Sequence, residues 1–125
     1  MHFIRYEECD GVAMVLHSGN CCCGENLSMG INVEDADQQK HLPLVTRKGT
    51  RLKVDVGALN HEMEKGHQIE WICVETDKGA MVHRLSVGEK PQSEFELGDE
   101  KALAVYACCT KHGIWGIKKD GSFEE

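Results

Sequence analysis

Within "YACCTKHGIW" (106–115), Cys109 and His112 stand at Cys-x2-His spacing, a compact way to bring a thiolate and an imidazole to one metal ion. Cys108 and His112, at Cys-x3-His, are nearly as good on spacing alone. In a strand, neighbouring side chains point to opposite faces, so only one of these cysteines should face a site. Upstream, "NHEMEKGHQIEWI" (60–72) sets His61 and His67 six apart and runs straight into a strand-like segment. Six is the wrong spacing for one helical face, where residues three or four apart meet. With His41, these side chains could complete a metal cluster carried on loops at strand ends, where sites on rigid scaffolds usually sit. His2, His17 and His83 read as surface residues, and His83 lies beside Arg84 in a strand where a solvent-facing role suffices.

The elements that must hold such a cluster read as β from residue 42 onward. "TRLKVDVG" (50–57) alternates strictly, with Leu52, Val54 and Val56 on one face. "HQIEWICVE" (67–75) sets Ile69, Trp71 and Cys73 against Glu70, Ile72 and Val74, so both faces are expected to be covered. "DKG" (77–79) is a hairpin signal between that strand and "AMVHRLSV" (80–87). "SEFEL" (93–97) alternates again, "GDEK" turns, and "ALAVYACC" (102–109) and "HGIWGIKK" (112–119) follow. With "LPLVTR" (42–47), about seven short strands at hairpin-like spacing predict an all-β antiparallel sandwich. No helix or internal repeat is evident.

A chain of 125 residues is about one domain, or one domain with a small appendage, and can bury a real core without disulfides. No run approaches a membrane span, and "MHFIRYEECD" lacks the apolar core of a signal peptide, so a cytoplasmic protein with no membrane partner is expected. The net charge of −7 excludes a general nucleic-acid binder, and an anionic substrate would need a local cation. Seven cysteines, an odd number, argue for metal or redox chemistry over a disulfide framework. Cys73 fits the role of a small buried hydrophobe. Cys21, Cys22 and Cys23, three in a row, do not. Four of the seven cysteines fall within residues 1 to 31, and the polar "NVEDADQQK" (32–40) reads as a linker.

"KHLPLV" (40–45), "HEMEKGHQIEWI" (61–72) and "CTKHGIW" (109–115), in this order, resemble the superoxide reductase family, also called desulfoferrodoxin or neelaredoxin. Its pattern is Lys-His-x-Pro, then His-Pro-Met-x3-His with an Ile-Glu-Trp-Ile run, then Cys-x2-His-Gly. The likeness covers residues 39 to 117, and three motifs in order make it specific. It implies an immunoglobulin-like sandwich with iron held by His41, His61, His67, His112 and the thiolate of Cys109. The six-residue spacing is then a loop leading into a strand, with Gly66 free to take an unusual backbone angle. Where the family has Pro, this chain has Glu62.

The resemblance also implies an activity. Neutral imidazoles suit ferrous iron, an open position admits a small oxygen ligand, and a thiolate opposite it pushes electron density through the metal. Superoxide would gain one electron and two protons to give hydrogen peroxide, and an external donor such as rubredoxin would restore the iron. Lys40 matches the family lysine that attracts the anion and organises water for proton delivery. Gln39 stands where the family usually has a Glu able to bind ferric iron, so a carboxylate lid is not expected. Lys111 reads as solvent-facing.

Many family members carry a small desulforedoxin-like domain with iron on Cys-x2-Cys and Cys-Cys-Gly. Residues 1–34 match that plan at Cys9, Cys22, Cys23 and Gly24, but Tyr6 occupies the first cysteine's position. A closed site wants four ligands. Cys21 as a substitute fourth ligand, or Tyr6 itself, would keep that site, but three consecutive residues do not easily fill three tetrahedral corners; the expectation is a remnant without a second iron, followed by the sandwich at 35–125 with one iron, in a homodimer. The rival reading is a non-catalytic metal-binding or electron-transfer protein using the same ligands.

Overall fold

The computed structural model describes residues 2–6, 9, 11–15, 26–28, 31–32, 40–57 and 60–118. Every regular element among them is a strand. Two compact units separate, Met1–Gly30 and Ile31–Glu125.

The first unit is a small antiparallel sheet of β1 (His2–Tyr6), β2 (Val12–Val15) and β3 (Asn26–Ser28), with β1 in the middle. The Tyr6 amide donates to the Gly11 carbonyl at 2.8 Å and closes the β1–β2 hairpin, whose turn carries an exposed Cys9. Cys22 and Cys23, the other cysteines assigned to a remnant site, lie outside the described residues, as do Gln39 and His17.

The second unit holds β4 (Ile31–Asn32), β5 (Pro43–Lys48), β6 (Arg51–Val56), β7 (Met63–Glu64), β8 (His67–Thr76), β9 (Ala80–Arg84), β10 (Gln92–Glu96), β11 (Ala102–Cys109) and β12 (Gly113–Lys118). One sheet runs β10-β6-β5; the other runs β4-β12-β11-β8-β7, with β9 also on β8. All pairings are antiparallel except β4 with β12. The core lies between the sheets. Leu52, Val54 and Val56 of β6 and Phe95 of β10 meet Ile69, Ile72 and Val74 of β8 and Val105 and Ala107 of β11. Strand β11 is central, and seven of its eight residues are buried, which suits its run of small and β-branched side chains.

All seven strands read from the alternation are present, with shifted ends. Burial follows the alternation in β6, and in β8 Ile69, Ile72, Cys73 and Val74 are all buried. The expected strand at 80–87 stops at Arg84, and β12 starts at Gly113, which leaves His112 in a turn. Two short strands were not anticipated. Ile31 and Asn32, at the edge of the expected linker, pair with Ile114 and Trp115, and Met63–Glu64 folds back on β8.

Beside β4, Gly116 is a packing requirement. A Cβ there would sit 2.8 Å from Cδ1 of Tyr106 and 3.0 Å from Cγ2 of Ile31. The Tyr106 ring is held at its far end, where its hydroxyl donates to Glu75 Oε1 at 3.1 Å. Burial, with the Glu75 charge adding, pushes that phenol's pKa up, so it stays a donor. Gly116→Ala should therefore lower stability by about 1–3 kcal/mol, the usual cost of overpacking. Urea unfolding measures this, and an unchanged midpoint would show that the Tyr106 ring yields freely.

Candidate metal centre

Five side chains from different segments converge at one end of the second unit. His41 precedes β5, His61 follows β6, His67 begins β8, Cys109 ends β11, and His112 sits in the β11–β12 turn. One ligand atom from each lies within 4.8 Å of all the others. His41 Nε2 and His112 Nδ1 are 3.1 Å apart, and Cys109 Sγ is 3.6 Å from His112 Nδ1. Two nitrogens bound about 2.1 Å from one ion stand about 3.0 Å apart when adjacent and about 4.2 Å when opposite. The cluster has the size of a single coordination shell.

The backbone explains the convergence. The amide of Gly57 donates to Leu42 O at 3.1 Å, and that of His61 donates to Val56 O at 3.1 Å, so the end of β6 holds both the His41 and His61 segments. Asn60, just before His61, takes φ +53°, a left-handed conformation that Asn tolerates better than most residues. His61 and His67 flank a tight hairpin. Glu64 pairs with His67, and Gly66 makes the turn at φ +87°. The sequence reading expected a loop there; the six-residue spacing is instead β7 doubled back on β8.

Cys109 owes its position to a break in register. Cys108 pairs with Trp71 and Cys109 with Ile69, so Glu70 is an extra residue on β8. A bulge of this kind re-aims the side chains next to it. Thr110 fastens the strand ends: its amide donates to Gln68 O at 3.0 Å, and its hydroxyl donates to Gly66 O at 3.3 Å and accepts from the Gln68 amide at 3.1 Å.

The choice between Cys108 and Cys109 is resolved by this geometry. Cys109 joins the cluster, whereas burial, with Glu70 and Cys109 adding, pushes the Cys108 thiol up to about 12. Cys108 is therefore a neutral thiol. Burial raises Cys73 likewise to about 12, in keeping with a hydrophobe's role. His83, expected at the surface, is exposed, stacks on Phe95 and shares a hydrogen bond with Ser93 Oγ.

The donors are chemically ready for a cation. His61 Nδ1 donates to the Glu62 carbonyl at 2.7 Å, and His67 Nδ1 donates to the Glu62 carboxylate at 3.0 Å. The Nε2 atoms of both rings then carry lone pairs, and these two atoms are buried without a hydrogen-bond partner. Such orphans cost about 1–3 kcal/mol each unless something binds them. Burial, reinforced by His41 and His67, pulls the His61 pKa below its ordinary 6.5 against the Glu62 carbonyl, which favours the neutral, ligating form. The residues fit a metal that accepts imidazole and thiolate.

A cavity of about 290 Å³ opens over the cluster, lined by Lys40, His41, Asn60, His61, Glu62, His67 and His112. Cys109, 2% exposed, lies outside this lining, so the imidazoles face the opening. Lys40 is exposed and lines the opening, and Lys111, read as solvent-facing, is exposed.

The desulfoferrodoxin family model matches residues 33–118. The chain belongs to the desulfoferrodoxin family. The desulfoferrodoxin homolog of Archaeoglobus fulgidus is 36% identical over 113 residues, covering 86% of this chain and 88% of that one. The desulfoferrodoxin of Nitratidesulfovibrio vulgaris is 34% identical over 111 residues, covering 86% and 87%. Among solved structures, the superoxide reductase of Treponema pallidum superposes with a TM-score of 0.76 at 32% identity, covering 94% of this chain and 97% of that one.

Sequence reasoning missed two supports in this desulfoferrodoxin centre. Trp115 stacks on His41, with ring centroids 4.4 Å apart and planes 15° from parallel, and its Nε1 donates to His112 O at 3.1 Å. Its place three residues after His112 was the available signal. The Glu62 carboxylate is the other, and nothing in its residue type announced it. Trp115→Ala should weaken metal binding about tenfold, the lower end for outer-shell losses. Trp115→Phe, which keeps a ring against His41, should recover part of that. Competition against a coloured chelator with cobalt(II) measures both, and equal affinity in all three proteins would remove Trp115 from the support of the site.

Proposed function

We propose that this chain is a superoxide reductase, reducing superoxide by one electron to hydrogen peroxide at a single iron held by His41, His61, His67, His112 and Cys109. The observation that carries the reading is the donor set itself: four imidazoles and one thiol within one coordination shell, beneath a cavity with a lysine on its rim. When bound, ferrous iron supplies the electron; superoxide, one electron and two protons balance to hydrogen peroxide. An external one-electron donor returns the site to its reduced form.

The chain's own residues account for the rest. His61 and His67 present bare Nε2 atoms toward the cluster because Glu62 engages their Nδ1 atoms. Cys109 would bind iron as a thiolate from the buried side, and anionic sulfur would favour the oxidised metal, which makes electron donation easier. Lys40, on the cavity rim of a chain with net charge −7, gives an incoming anion a local attraction and a donor for ordering water. With Gln39 in place of a carboxylate, no anionic side chain from that position competes with the substrate.

The resemblance further suggests a rubredoxin-like donor, a homodimer and a cytoplasmic setting. Residues 1–34 are, in this reading, a desulforedoxin-like domain without a complete iron site.

Protein purified without oxygen should carry about one iron per chain and little zinc, by elemental analysis. Zinc that persists after growth in iron-rich medium would replace the reductase with a metal-binding protein, and two irons would mean that the N-terminal cysteines hold a centre. Rapid mixing of the reduced protein with superoxide should oxidise it directly. Lys40→Ala should slow that step by up to about tenfold and flatten its salt dependence, since steering of an anion weakens with ionic strength. Equal rates and equal salt slopes would exclude steering by Lys40.

A further inference from the structure

We infer that Glu62 is a positioning residue for the centre, its carboxylate selecting the tautomer of His67 and strengthening that imidazole as a ligand. The inference rests on the reading of the cluster as a metal centre. Its basis is an asymmetry within one residue. The Glu62 carbonyl accepts from His61 Nδ1 at 2.7 Å, while its carboxylate oxygen Oε2 accepts from His67 Nδ1 at 3.0 Å. The first bond belongs to the backbone and any residue supplies it. The second requires an acceptor side chain at position 62.

An ionised carboxylate can only accept, so it holds the proton on His67 Nδ1 and leaves Nε2 bare. That Nε2 is the buried atom without a partner, beside the equally bare Nε2 of His61. The other tautomer would turn a lone pair toward the carboxylate, which repels it, and would put an N–H where a metal needs a lone pair. The bond also fixes the ring plane. His67 stands edge-on to His61 at 4.8 Å between centroids and to His112 at 5.1 Å, an arrangement in which a small ring rotation would carry Nε2 away. A carboxylate on the far nitrogen makes an imidazole a stronger donor, the general action of carboxylate–histidine–metal pairs.

Glu62 is also part of a hairpin that holds it in place. Met63 pairs with Gln68 and Glu64 with His67, and Gly88 donates to Met63 O at 2.9 Å. The carboxylate thus sits one residue before a strand whose partner is the strand bearing His67. Glu62's side chain is 62% exposed, so solvent weakens the bond and the effect should lie at the modest end. Proline at this position would leave the carbonyl bond to His61 and remove the carboxylate bond to His67.

The test compares Glu62→Ala and Glu62→Gln with the wild type. Nitrogen-15 spectra of the metal-free proteins, at neutral to alkaline pH, report the tautomer of each ring. In the wild type, His67 should carry its proton on Nδ1. In Glu62→Ala, His67 should become a mixture while His61, held by the unchanged carbonyl, keeps its tautomer; the His61 signal is the control against a general loosening of the loop. Cobalt(II) affinity should fall about tenfold in Glu62→Ala. Glu62→Gln keeps an acceptor oxygen without the charge, so it should retain tautomer and affinity but raise the iron potential. Tenfold weaker ferric binding relative to ferrous corresponds to about 59 mV. Wild-type tautomer, affinity and potential in both variants would overturn the inference. A wild-type chain that takes up no cobalt or iron at these five residues would overturn the metal centre itself.

Discussion

The two ladders of β11 are the constraint on which the rest depends. One pairs it with β8 from Ala102 to Cys109, the other with β12 from Ala104 to Cys109. Together they fix three of the five donors: Cys109 at the end of β11, His67 at the start of β8, and His112 in the turn to β12. These side chains are held at the end of a core to which Cys109 itself belongs. What remains is to bring His41 and His61 to the same place, and the end of β6 does so through backbone bonds to Leu42 and from His61. The centre is assembled from strand ends, where backbone hydrogen bonding holds His61 and His67 in place although their buried Nε2 atoms lack partners.

How much of this was legible follows the physics of each signal. Alternation marked β6 and β10, because a strand with one buried face must repeat every two residues. The central strands read less cleanly: Cys73 was legible as a buried hydrophobe, but Cys108, buried on the neighbouring strand, looks like a candidate ligand in the sequence. Spacing brought Cys109 and His112 forward because they lie within one turn. It could not choose between Cys108 and Cys109, since that choice is made by the bulge at Glu70 on the neighbouring strand. Nor could local pattern show β4, whose pairing with β12 is parallel and distant in sequence. Trp115 was legible only in part, since its bond to His112 O is local but its stacking on His41 depends on tertiary pairing, and Glu62 reaches His67 only because the hairpin between them folds back.

The two adjacent cysteines show how little separates a ligand from a packing residue. Both sulfur-bearing side chains are buried, at 5% for Cys108 and 2% for Cys109. Cys108 has its thiol pushed up to about 12 by burial and by neighbouring negative charge, so it stays protonated and inert. Cys109 has nitrogen donors around it, with His112 Nδ1 3.6 Å from its sulfur, and a cation among those donors would favour the thiolate. Position relative to the imidazoles, more than depth of burial, decides which sulfur is chemical.

A centre of this kind must be rigid in its donors and open at its face, and the structure divides those requirements between two levels. Rigidity lies below, in Cys109, buried His61 and the β11 ladders. Openness lies above, where Lys40, Asn60 and Glu62 line the cavity from exposed turns. The rim carries both signs of charge, and they face different tasks. The ammonium of Lys40 lies at the exposed edge of the cavity, while the carboxylate of Glu62 accepts from His67 Nδ1 at 3.0 Å. Among the described residues lining the cavity Glu62 alone carries a carboxylate, and it is already engaged by an N–H donor, so the local charge at the opening is less one-sided than the overall −7 would suggest.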